Sequence, residues 1–387
     1  MPQNSRRGWK RLLTWTLKIA FSGGLIAWVL HKTNLASIGK SLASASPAWL
    51  TLAVAIGVAG TMVQARQWQR LLLAVDLDRP ITRCLRIVFV GNTYNALLPS
   101  SIGGDASRAV YIAERPGERA PSAAATALQR LLNFPGMVLL MGLGLALTVT
   151  SAAAARVRPL ALVGAAIGLA VLAITLSPLV GRVAKSTKLA RLPGWKPIST
   201  SLQVLDDFRS QRSELMVAAG RGIVFWSLTV LNQWAYIRAV GIQPSLGYTA
   251  LVVTLINLAT MLPLSINGFG AREGGYIALL AGVGLATTAQ AASVGLLITA
   301  QSLLFGLLGA VCMLTLRNTA LWARRLDAVT AAIVTWLYAA AGWLSPRRLL
   351  MAFSFGRQPS AGRYGSRPQP SGGAQLRPSA TPDEVQR

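Results

Sequence analysis

The chain is poor in the side chains on which metal sites, disulfide frameworks and histidine-based catalysis depend. It has one histidine, His31, and two cysteines, Cys84 and Cys312, among 387 residues. Cysteines so few and so far apart form neither a metal cage nor a disulfide framework, and we expect them to serve in packing. The histidine follows an apolar run and has no catalytic or metal-binding partner near it, which favours an interfacial position. The sequence therefore predicts no catalytic residue, no metal and no cofactor.

Acidic residues are also scarce, with 12 Asp and Glu against 38 Lys and Arg, a net charge of +26. In a soluble protein this balance would indicate a nucleic-acid partner. Half of the positive charge, however, lies in three segments that flank or separate apolar runs: five of the first 18 residues, seven between Arg182 and Arg212, and seven between Arg347 and Arg387. This is the positive-inside pattern of membrane proteins, so we expect no nucleic-acid partner.

Long apolar runs dominate the composition, with 53% hydrophobic and 13% charged residues. A run of about 20 apolar residues is long enough to cross a bilayer. The sequence predicts spans at residues 12–30, 48–65, 122–150, 160–180, 215–235 and 290–316, and either a short last span or an interfacial helix at 328–344. The predicted fold class is all-α, a polytopic integral membrane protein with about six to eight transmembrane helices.

The polar segments define the predicted domain organisation. Residues 1–11 form a basic N-terminus in the cytoplasm, and residues 12–344 form the transmembrane domain. The basic loop 181–213 is expected on the cytoplasmic side as well. Residues 345–387 are rich in Arg, Pro, Ser and Gly and have too few apolar side chains to fold, which predicts a disordered tail.

The most specific feature is an internal repeat. Leu98–Arg108, LPSSIGGDASR, and Leu262–Arg272, LPLSINGFGAR, agree at six of eleven positions without a gap, where chance would give about one. Each copy, within residues 88–109 and 253–274, is a short apolar run that meets a helix-breaking proline. Broken backbone at membrane depth predicts a re-entrant segment. Three predicted spans separate the copies, so they are expected to enter from opposite faces, as in inverted-repeat transporters.

The polar and small residues of both motifs form the predicted lipid-headgroup site. Amide and hydroxyl groups offer neutral donors and acceptors, and the arginine that ends each motif offers a positive fork suited to a phosphate. Arg130 lies inside an apolar span, where charge is costly and by default functional. The predicted residues are Asn92, Asn95, Pro99, Ser101, Gly103, Gly104, Asp105, Arg108 and Arg130 in the first half, and Asn257, Pro263, Ser265, Asn267, Gly268, Gly270, Arg272 and Glu273 in the second.

Two alternatives stay open for the charged residues. Arg108 and Arg272 either line the headgroup path or reach the membrane interface and hold the re-entrant turns in register. Asp105 and Glu273 do not align with each other in the two motifs. They either pair with nearby arginines or take part in proton-coupled transport.

The segments NTYNALLPSSIGGDASRA and LPLSINGFGAREGGYIALLAGVG resemble the paired signatures of the flippase-like transmembrane domain of lysylphosphatidylglycerol synthase and its stand-alone relatives. The resemblance covers roughly residues 10–345 and implies the fold of that domain, a lipid-handling role for the motif residues, and the inner (plasma) membrane of a bacterial cell. The family's synthases also carry a soluble aminoacyltransferase domain after the membrane part. Here only the predicted tail follows, so the resemblance does not imply aminoacylation.

We expect a flippase-like lipid translocator, and not an enzyme, that moves an anionic phospholipid or lipid-linked intermediate between leaflets. The sequence has no GxxxxGK[ST] phosphate loop, so transport is expected without ATP hydrolysis. One alternative is an accessory or scaffold protein of a lipid, hopanoid or glycan synthesis pathway. Another is a membrane glycosyl- or acyltransferase, which the shortage of histidine and of clustered carboxylates disfavours. The expected partners are membrane lipids with anionic or lipid-linked headgroups, and a separate lipid-modifying enzyme is a further candidate partner.

Overall fold

The structure is a computed structural model, and it describes Gly24 and residues 34–97, 102–176, 212–261 and 268–317. All regular secondary structure in this part of the chain is helical. Several predictions lie outside the described residues. These are the N-terminus 1–11, the span 12–30 apart from Gly24, the loop 181–213 up to residue 211, the helix 328–344, the tail 345–387, and the site residues Pro99, Ser101, Pro263, Ser265 and Asn267.

Ten helices lie in the described ranges. The first five are α1 (Leu35–Ala43), α2 (Pro47–Leu73), α3 (Ile81–Leu97), α4 (Ile102–Ile112) and α5 (Arg119–Leu147). The second five are α6 (Ala152–Leu176), α7 (Arg212–Ala239), α8 (Leu246–Met261), α9 (Ala271–Tyr276) and α10 (Thr288–Arg317). A turn of 3₁₀ helix, Pro116–Glu118, precedes α5, and a π-helical turn, Ile277–Ala281, follows α9.

Four helices are long and apolar enough to cross a membrane by length and composition, namely α2, α5, α10 and the 152–170 part of α6. The predicted spans at 48–65, 122–150 and 290–316 are confirmed in α2, α5 and α10. The helix predicted at 215–235 is present as α7. It is long enough to cross a membrane, but it is not apolar enough to count among the four candidate spans. The chain is thus a multi-pass membrane protein.

The helix predicted at 160–180 is present as α6, which begins earlier than predicted, at Ala152. The charged residues Arg156 and Arg158 in its first turns are the reason that the apolar pattern placed the start too late. Each guanidinium donates to a backbone carbonyl: Arg158 to Val149 O, just before α6, at 2.5 Å, and Arg156 to Gly282 O, just after the π-helical turn, at 3.3 Å. Arginine near the end of a membrane helix is tolerated when its head group finds polar partners there.

Helices α3 and α4 run antiparallel to each other. Gly104 at the start of α4 donates from its backbone N–H to Asn95 Oδ1, near the end of α3, at 2.9 Å. Farther along α4, the hydroxyl groups of Tyr111 and Tyr94 lie 3.0 Å apart. Arg83, near the start of α3, forms an ion pair with a residue just beyond α4, Glu114. The chain therefore returns along α4 toward the end of the bundle where α3 began.

The second motif has the same arrangement. Gly268 lies beside Thr260 near the end of α8, and Gly275 in α9 lies beside Ile256. Closer to the start of α8, the Tyr248 hydroxyl donates to Leu279 O at 2.5 Å. The α9 segment and its π-turn therefore run back along α8.

The long helices α2 and α7 are antiparallel neighbours joined by two reciprocal hydrogen bonds. Gln67 Nε2 in α2 donates to Ala218 O in α7 at 2.9 Å, and Asn232 Nδ2 in α7 donates to Ala53 O in α2 at 2.6 Å. Ala218 and Asn232 follow Ala53 and Gln67 by 165 residues each, close to the 164-residue spacing of the motifs. Each helix thus offers the other one amide donor and one backbone carbonyl acceptor at equivalent positions.

These contacts give the bundle two distinguishable ends. At the first, which we call the Arg79 end, α2 ends and α3 begins, with Gln69 Nε2 donating to Arg79 O at 2.8 Å. At the second, the Trp49 end, α2 begins and α7 ends, with Ser46 N donating to Ala239 O at 2.9 Å and the rings of Trp49 and Trp234 5.3 Å apart. The α3–α4 pair extends from the Arg79 end, and the α8–α9 pair extends from the Trp49 end.

Candidate functional site

A cavity of about 210 Å³ lies among α2, α3, α4, α5, α7 and α8. Six of the residues predicted for the headgroup site line it, although they are far apart in the sequence: Asn92, Asn95, Asp105, Arg108, Arg130 and Asn257. Five of them belong to the first half of the chain and only Asn257 comes from the second motif. The fold thus gathers the polar residues of the first motif around one space inside the bundle.

Arg108 is the most deeply buried charged group at this cavity, with 5% of its surface exposed. Its Nη2 donates to Gln129 Oε1 at 2.6 Å, and its Nη1 lies 3.6 Å from Asp105 Oδ1. The guanidinium carbon lies 4.3 Å from the ring centre of Trp68, a cation–π contact. The Nε has no hydrogen-bond partner among the described residues. A buried guanidinium is costly unless it is paired and hydrogen-bonded, and Asp105, Gln129 and Trp68 supply these contacts.

Asp105 lies between two arginines of the cavity wall. Its Oδ2 is 3.3 Å from Arg130 Nε, while its other oxygen faces Arg108. The two arginines and the single carboxylate leave one excess positive charge at the cavity. This charge favours an anionic group, and the position of Asp105 supports the ion-pairing interpretation of that residue.

A chain of amides fixes the position of Arg108. Gln129, which is 2% exposed, accepts from Arg108 and donates from Nε2 to Gln64 O at 2.7 Å and to Gln67 Oε1 at 3.1 Å. Gln67 in turn donates to the α7 backbone, and the Trp68 indole donates to Thr126 Oγ1 at 3.1 Å. Arg108 is therefore held by side chains of α2 and α5, and Gln67 connects this network to the backbone of α7.

Two glycines let α4 approach α3 closely enough for this geometry. A side chain at Gly91 would begin 2.8 Å from Arg108 Cγ, and one at Gly104 would begin 2.5 Å from Gly91 O. Both distances are shorter than any ordinary van der Waals contact. Gly104, predicted as a headgroup contact, therefore has an evident packing role, while Gly103 is half-buried and is not among the cavity-lining residues.

The charged residues of the second motif form a separate group. Glu273, which is 5% exposed, accepts from Gly270 N–H at 2.7 Å and from the Thr299 hydroxyl at 2.8 Å. Arg272 Nη1 donates to the same Thr299 Oγ1 at 3.2 Å. Gly268 and Gly270 have φ angles of +77° and +79°, a conformation that favours glycine. None of these residues is among those lining the cavity, so Arg108 and Arg272 do not share one site in this structure.

The two motif arginines nevertheless have related partners. Arg108 donates to Gln129 on α5 and Arg272 donates to Thr299 on α10, in each case the long helix that follows the motif. The α2 and α7 amides also reach these helices, since Gln129 donates to Gln67 and Asn232 donates to Gln301 at 3.0 Å. The halves thus share a hydrogen-bond pattern, but the cavity described above is lined mainly by residues of the first half.

An ion-pair cluster closes the α3–α4 pair at the Arg79 end. Arg79 Nη2 lies 2.7 Å from Glu118 Oε2 and 3.5 Å from Glu114, which also pairs with Arg83. The backbone N–H of Glu114 donates to Glu118 at 2.7 Å. This hydrogen bond first, and Arg79 second, lower the pKa of the Glu118 carboxyl, which lies outside the membrane-spanning segments. The cluster ties the start of α3 to the segment that follows α4.

Sequence analysis missed part of the cavity wall. The missed polar residues are Gln64, Thr126, Gln129, Asn133 and Thr229, and the missed aromatic residues are Phe134, Phe225 and Trp226. Gln129 and Asn133 carried a signal, because amides next to Arg130 inside an apolar span are as unusual as the arginine itself. Trp226 carried none, since a tryptophan in an apolar helix indicates only packing or an interface. The described residues contain no group of three or more His, Cys, Asp or Glu placed to hold a metal ion.

One comparison with known proteins gave a match. The model of the family described as lysylphosphatidylglycerol synthase TM region matches residues 15–310, which is more than half of the chain and includes both motifs. No curated protein and no solved structure matches the chain.

Proposed function

The chain belongs to the family of the lysylphosphatidylglycerol synthase TM region, and from that membership we propose that it is a lipid translocator. It moves an anionic phospholipid or lipid-linked intermediate between leaflets without ATP hydrolysis. The family supports a membrane protein linked to lipid metabolism. The observation that carries the proposal is the polar cavity, where Arg108, Arg130 and Asp105 leave one excess positive charge.

The cavity suits a headgroup and not a whole lipid. Its volume of about 210 Å³ is below the roughly 300–1,000 Å³ that pockets for drug-sized ligands occupy. Acyl or isoprenoid chains would therefore stay in the bilayer while the headgroup occupies the cavity. Its excess positive charge suits a phosphate.

We further propose that α2–α5 and α7–α10 are inverted repeats. Each begins with a long helix, continues with a pair of shorter antiparallel helices and ends with a long helix. The equivalent helices α2 and α7 are antiparallel and exchange equivalent amide hydrogen bonds. The α3–α4 and α8–α9 pairs extend from opposite ends of the bundle, as expected of two re-entrant segments entering from opposite faces. Together with the predicted segments 12–30 and 328–344, the number of transmembrane helices is about six to eight.

The proposed orientation places the Arg79 end in the cytoplasm of a bacterial cell, with the protein in the inner membrane and the N-terminus inside. Most basic residues of the described loops and helix ends lie at this end, among them Arg66, Arg70, Arg79, Arg83, Arg115 and Arg119. The Trp49 end has fewer, among them Lys40, Arg156 and Arg238. An excess of Lys and Arg marks the cytoplasmic side of membrane proteins.

The proposal includes no catalytic step. Asp105 is the only carboxylate among the cavity-lining residues, it already contacts two arginines, and the described lining contains no histidine or cysteine. General acid–base chemistry needs a positioned group that is free to exchange a proton with the substrate. The cavity is therefore interpreted as a binding and translocation site, in contrast to a glycosyl- or acyltransferase centre.

The test is leaflet exchange in proteoliposomes. The full chain is reconstituted with fluorescently labelled anionic phospholipids, and exchange is followed by quenching of the outer-leaflet label. We expect faster exchange than in protein-free liposomes, and loss of the acceleration in Arg108→Ala with helix content unchanged. Arg156→Ala, at the Trp49 end and remote from the cavity, is the matched control. Exchange no faster than in protein-free liposomes, across anionic and lipid-linked sugar probes, would overturn the proposal and favour the scaffold alternative.

A further inference from the structure

The inference rests on the proposed function and concerns which residue of the cavity pairs with the headgroup. Among the described residues that line the cavity, only Asp105, Arg108 and Arg130 are charged. Asp105 lies between the two arginines, with one oxygen 3.6 Å from Arg108 Nη1 and the other 3.3 Å from Arg130 Nε. Two guanidinium groups therefore share one carboxylate.

Both arginines hold Asp105 loosely. The two distances are longer than the roughly 2.7–2.9 Å of a charge-assisted hydrogen bond, whereas Arg79 and Glu118 at the Arg79 end approach to 2.7 Å. The Asp105 side chain is also 26% exposed. Long and partly exposed ion pairs contribute little free energy. Another anion can therefore take the place of Asp105 at one of the two arginines.

The two arginines differ in how easily such an anion reaches them. The Arg108 side chain is only 6% exposed, and Gln129 and the Trp68 ring fix its guanidinium group. The Arg130 side chain lines the same cavity and is 39% exposed. An incoming anion therefore reaches Arg130 without disturbing the amide network that holds Arg108.

The charges balance when a phosphodiester joins the site. It carries one negative charge, which equals the excess positive charge of the three residues. If the phosphodiester pairs with Arg130 while Asp105 stays with Arg108, each arginine has one anion. No charge is then left uncompensated inside the bundle, where an unpaired charge is costly.

We propose that Arg130 is the residue that pairs with the headgroup phosphate, and that Asp105 competes with the phosphate for it. Arg108 is a positioning residue, because it retains Asp105 when the phosphate takes Arg130. The competition keeps binding weak enough for release, which a translocation site requires as much as entry.

The first experiment measures binding of two soluble probes to the purified full chain in detergent by calorimetry. The probes are inorganic phosphate and glycerophosphoglycerol, a phosphodiester headgroup without acyl chains. Asp105→Asn removes the competing charge and nearly keeps the shape, so glycerophosphoglycerol should bind about threefold more tightly or more. Arg130→Gln should lose this binding. Unchanged or weaker binding in Asp105→Asn overturns the inference, as does binding of inorganic phosphate alone, which would assign the site to free phosphate.

Glu114→Gln is the matched control for Asp105→Asn. Glu114 also lies between two arginines, Arg79 and Arg83, but it does not line the cavity. The substitution removes the same charge, and the affinity for glycerophosphoglycerol should equal that of the unaltered chain. An equal gain in affinity in both variants would show a general effect of net charge and overturn the competition.

A charge-rescue experiment separates the roles of the two arginines. Arg108→Ala leaves Asp105 to neutralise Arg130, so binding of glycerophosphoglycerol should be lost. Arg108→Ala combined with Asp105→Asn leaves Arg130 without its competitor, and binding should return. A folded double variant that does not bind would assign the phosphate to Arg108 and overturn the inference. If the double variant does not fold, the results for Asp105→Asn and Arg130→Gln decide.

Thermal unfolding separates competition from a structural role of Asp105. Asp105 lies in the first turn of α4, where an acidic side chain stabilises a helix. If this were its only role, Asp105→Asn would lower the unfolding temperature without tightening binding. Competition instead predicts tighter binding of glycerophosphoglycerol together with slower leaflet exchange of labelled phosphatidylglycerol, because release becomes slow.

The same exchange assay distinguishes failure of this inference from failure of the proposed function. Exchange by the unaltered chain, with unchanged affinity in Asp105→Asn, would leave translocation standing and overturn the competition. Tighter binding in Asp105→Asn, with no exchange by the unaltered chain, would leave the Arg130 site standing and overturn translocation.

Discussion

At the scale of single residues, the burial of Arg108 decides the character of the site. A guanidinium inside a membrane bundle must be paired, stacked and hydrogen-bonded to stay charged. Asp105, Trp68 and Gln129 provide these contacts. Arg108 is enclosed by these residues, and whether it lines the headgroup path or holds the turns in register stays a prediction. Arg272 is held to Thr299, so its role in the headgroup path stays a prediction.

Gln129 is a positioning residue, and its removal should act through Arg108. Gln129→Leu keeps the volume but removes the acceptor of Arg108 Nη2 and the donor to Gln67 Oε1, which should cost about 1–3 kcal/mol of stability and reduce leaflet exchange. Gln301→Leu on α10 removes the comparable amide partner of Asn232, and should reduce stability while exchange is retained. Thermal unfolding and exchange measured on both variants check this. Loss of exchange in Gln301→Leu of the same size would contradict a specific role for Gln129.

Glu118 should make the Arg79 end sensitive to acid. Its pKa is lower in the folded protein than in the unfolded chain, because the Glu114 N–H and Arg79 stabilise the carboxylate. The resulting stability is present above the pKa of unfolded glutamate and is lost as the pH falls below about 4. Because Glu118 is only partly buried and solvent screens it, the effect should be no more than about 1 kcal/mol. Unfolding temperatures of the protein and of Glu118→Gln, measured between neutral and acid pH, should converge at low pH; a constant difference would be inconsistent with this linkage.

At the scale of helices, the close approach of α5 and α7 depends on glycine. A side chain at Gly136 would begin 2.7 Å from Gly222 O, and one at Gly222 would begin 2.7 Å from Leu132 O. Since α5 carries Arg130 and Asn133 while α7 carries Trp226, this contact sets the width of the cavity. Small residues at helix interfaces are the usual means of such approach in membranes.

Gly136→Ala should therefore push α5 and α7 apart. Overpacking of this kind costs about 1–3 kcal/mol, and we expect a lower unfolding temperature together with weaker headgroup binding. The matched control is Gly142→Ala on the same helix, where no atom lies within 4 Å of the added carbon. Helix propensity should make that variant neutral or more stable by up to about 1 kcal/mol. Equal effects of the two substitutions on thermal unfolding would show that the contact with α7 is not the cause.

The positions of the helices were largely predictable from the sequence, but the residues at which they end and the helices against which they pack were not. The apolar runs of α2, α5 and α10 gave their locations because a membrane helix must be apolar over its whole length. The start of α6 was missed because Arg156 and Arg158 interrupt the apolar pattern, although carbonyl groups at the helix end satisfy them. Which helices are neighbours depends on pairs such as Gly136 and Gly222, which no local pattern identifies.

At the scale of the whole molecule, the proposed inverted repeat predicts where single cysteines react. Asp78 is an exposed residue at the Arg79 end, and Leu285 is an exposed residue that follows α9 at the Trp49 end. On a background without Cys84 and Cys312, Asp78→Cys and Leu285→Cys should react with an impermeant thiol reagent from opposite sides of intact membranes. Asp78→Cys should react only after the cells are opened. Reaction of both positions from one side would contradict the inverted arrangement.

The two proposed repeats share a backbone plan and hydrogen bonds but differ in their polar side chains. At the motif positions where the first half has Asn92, Asn95 and Asp105, the second half has Ile256, Ala259 and Phe269. The second half therefore has neither amides nor a carboxylate at these three positions, and it contributes a different amide, Asn257, to the cavity. Its charged pair, Arg272 and Glu273, joins α9 to Thr299 on α10. We interpret the first half as the binding half and the second as its structural counterpart.

The sequence by itself determined the membrane class, the approximate helices and the repeat, because the bilayer imposes length and apolarity on each segment separately. It also identified Asn92, Asn95, Asp105, Arg108, Arg130 and Asn257 as unusual polar residues for their surroundings. Only the tertiary structure decided that these six share one cavity while Arg272 and Glu273 do not. It also added Gln129, Asn133 and Trp226, because a site made from six helices depends on which faces meet, and that depends on packing between residues far apart in the chain.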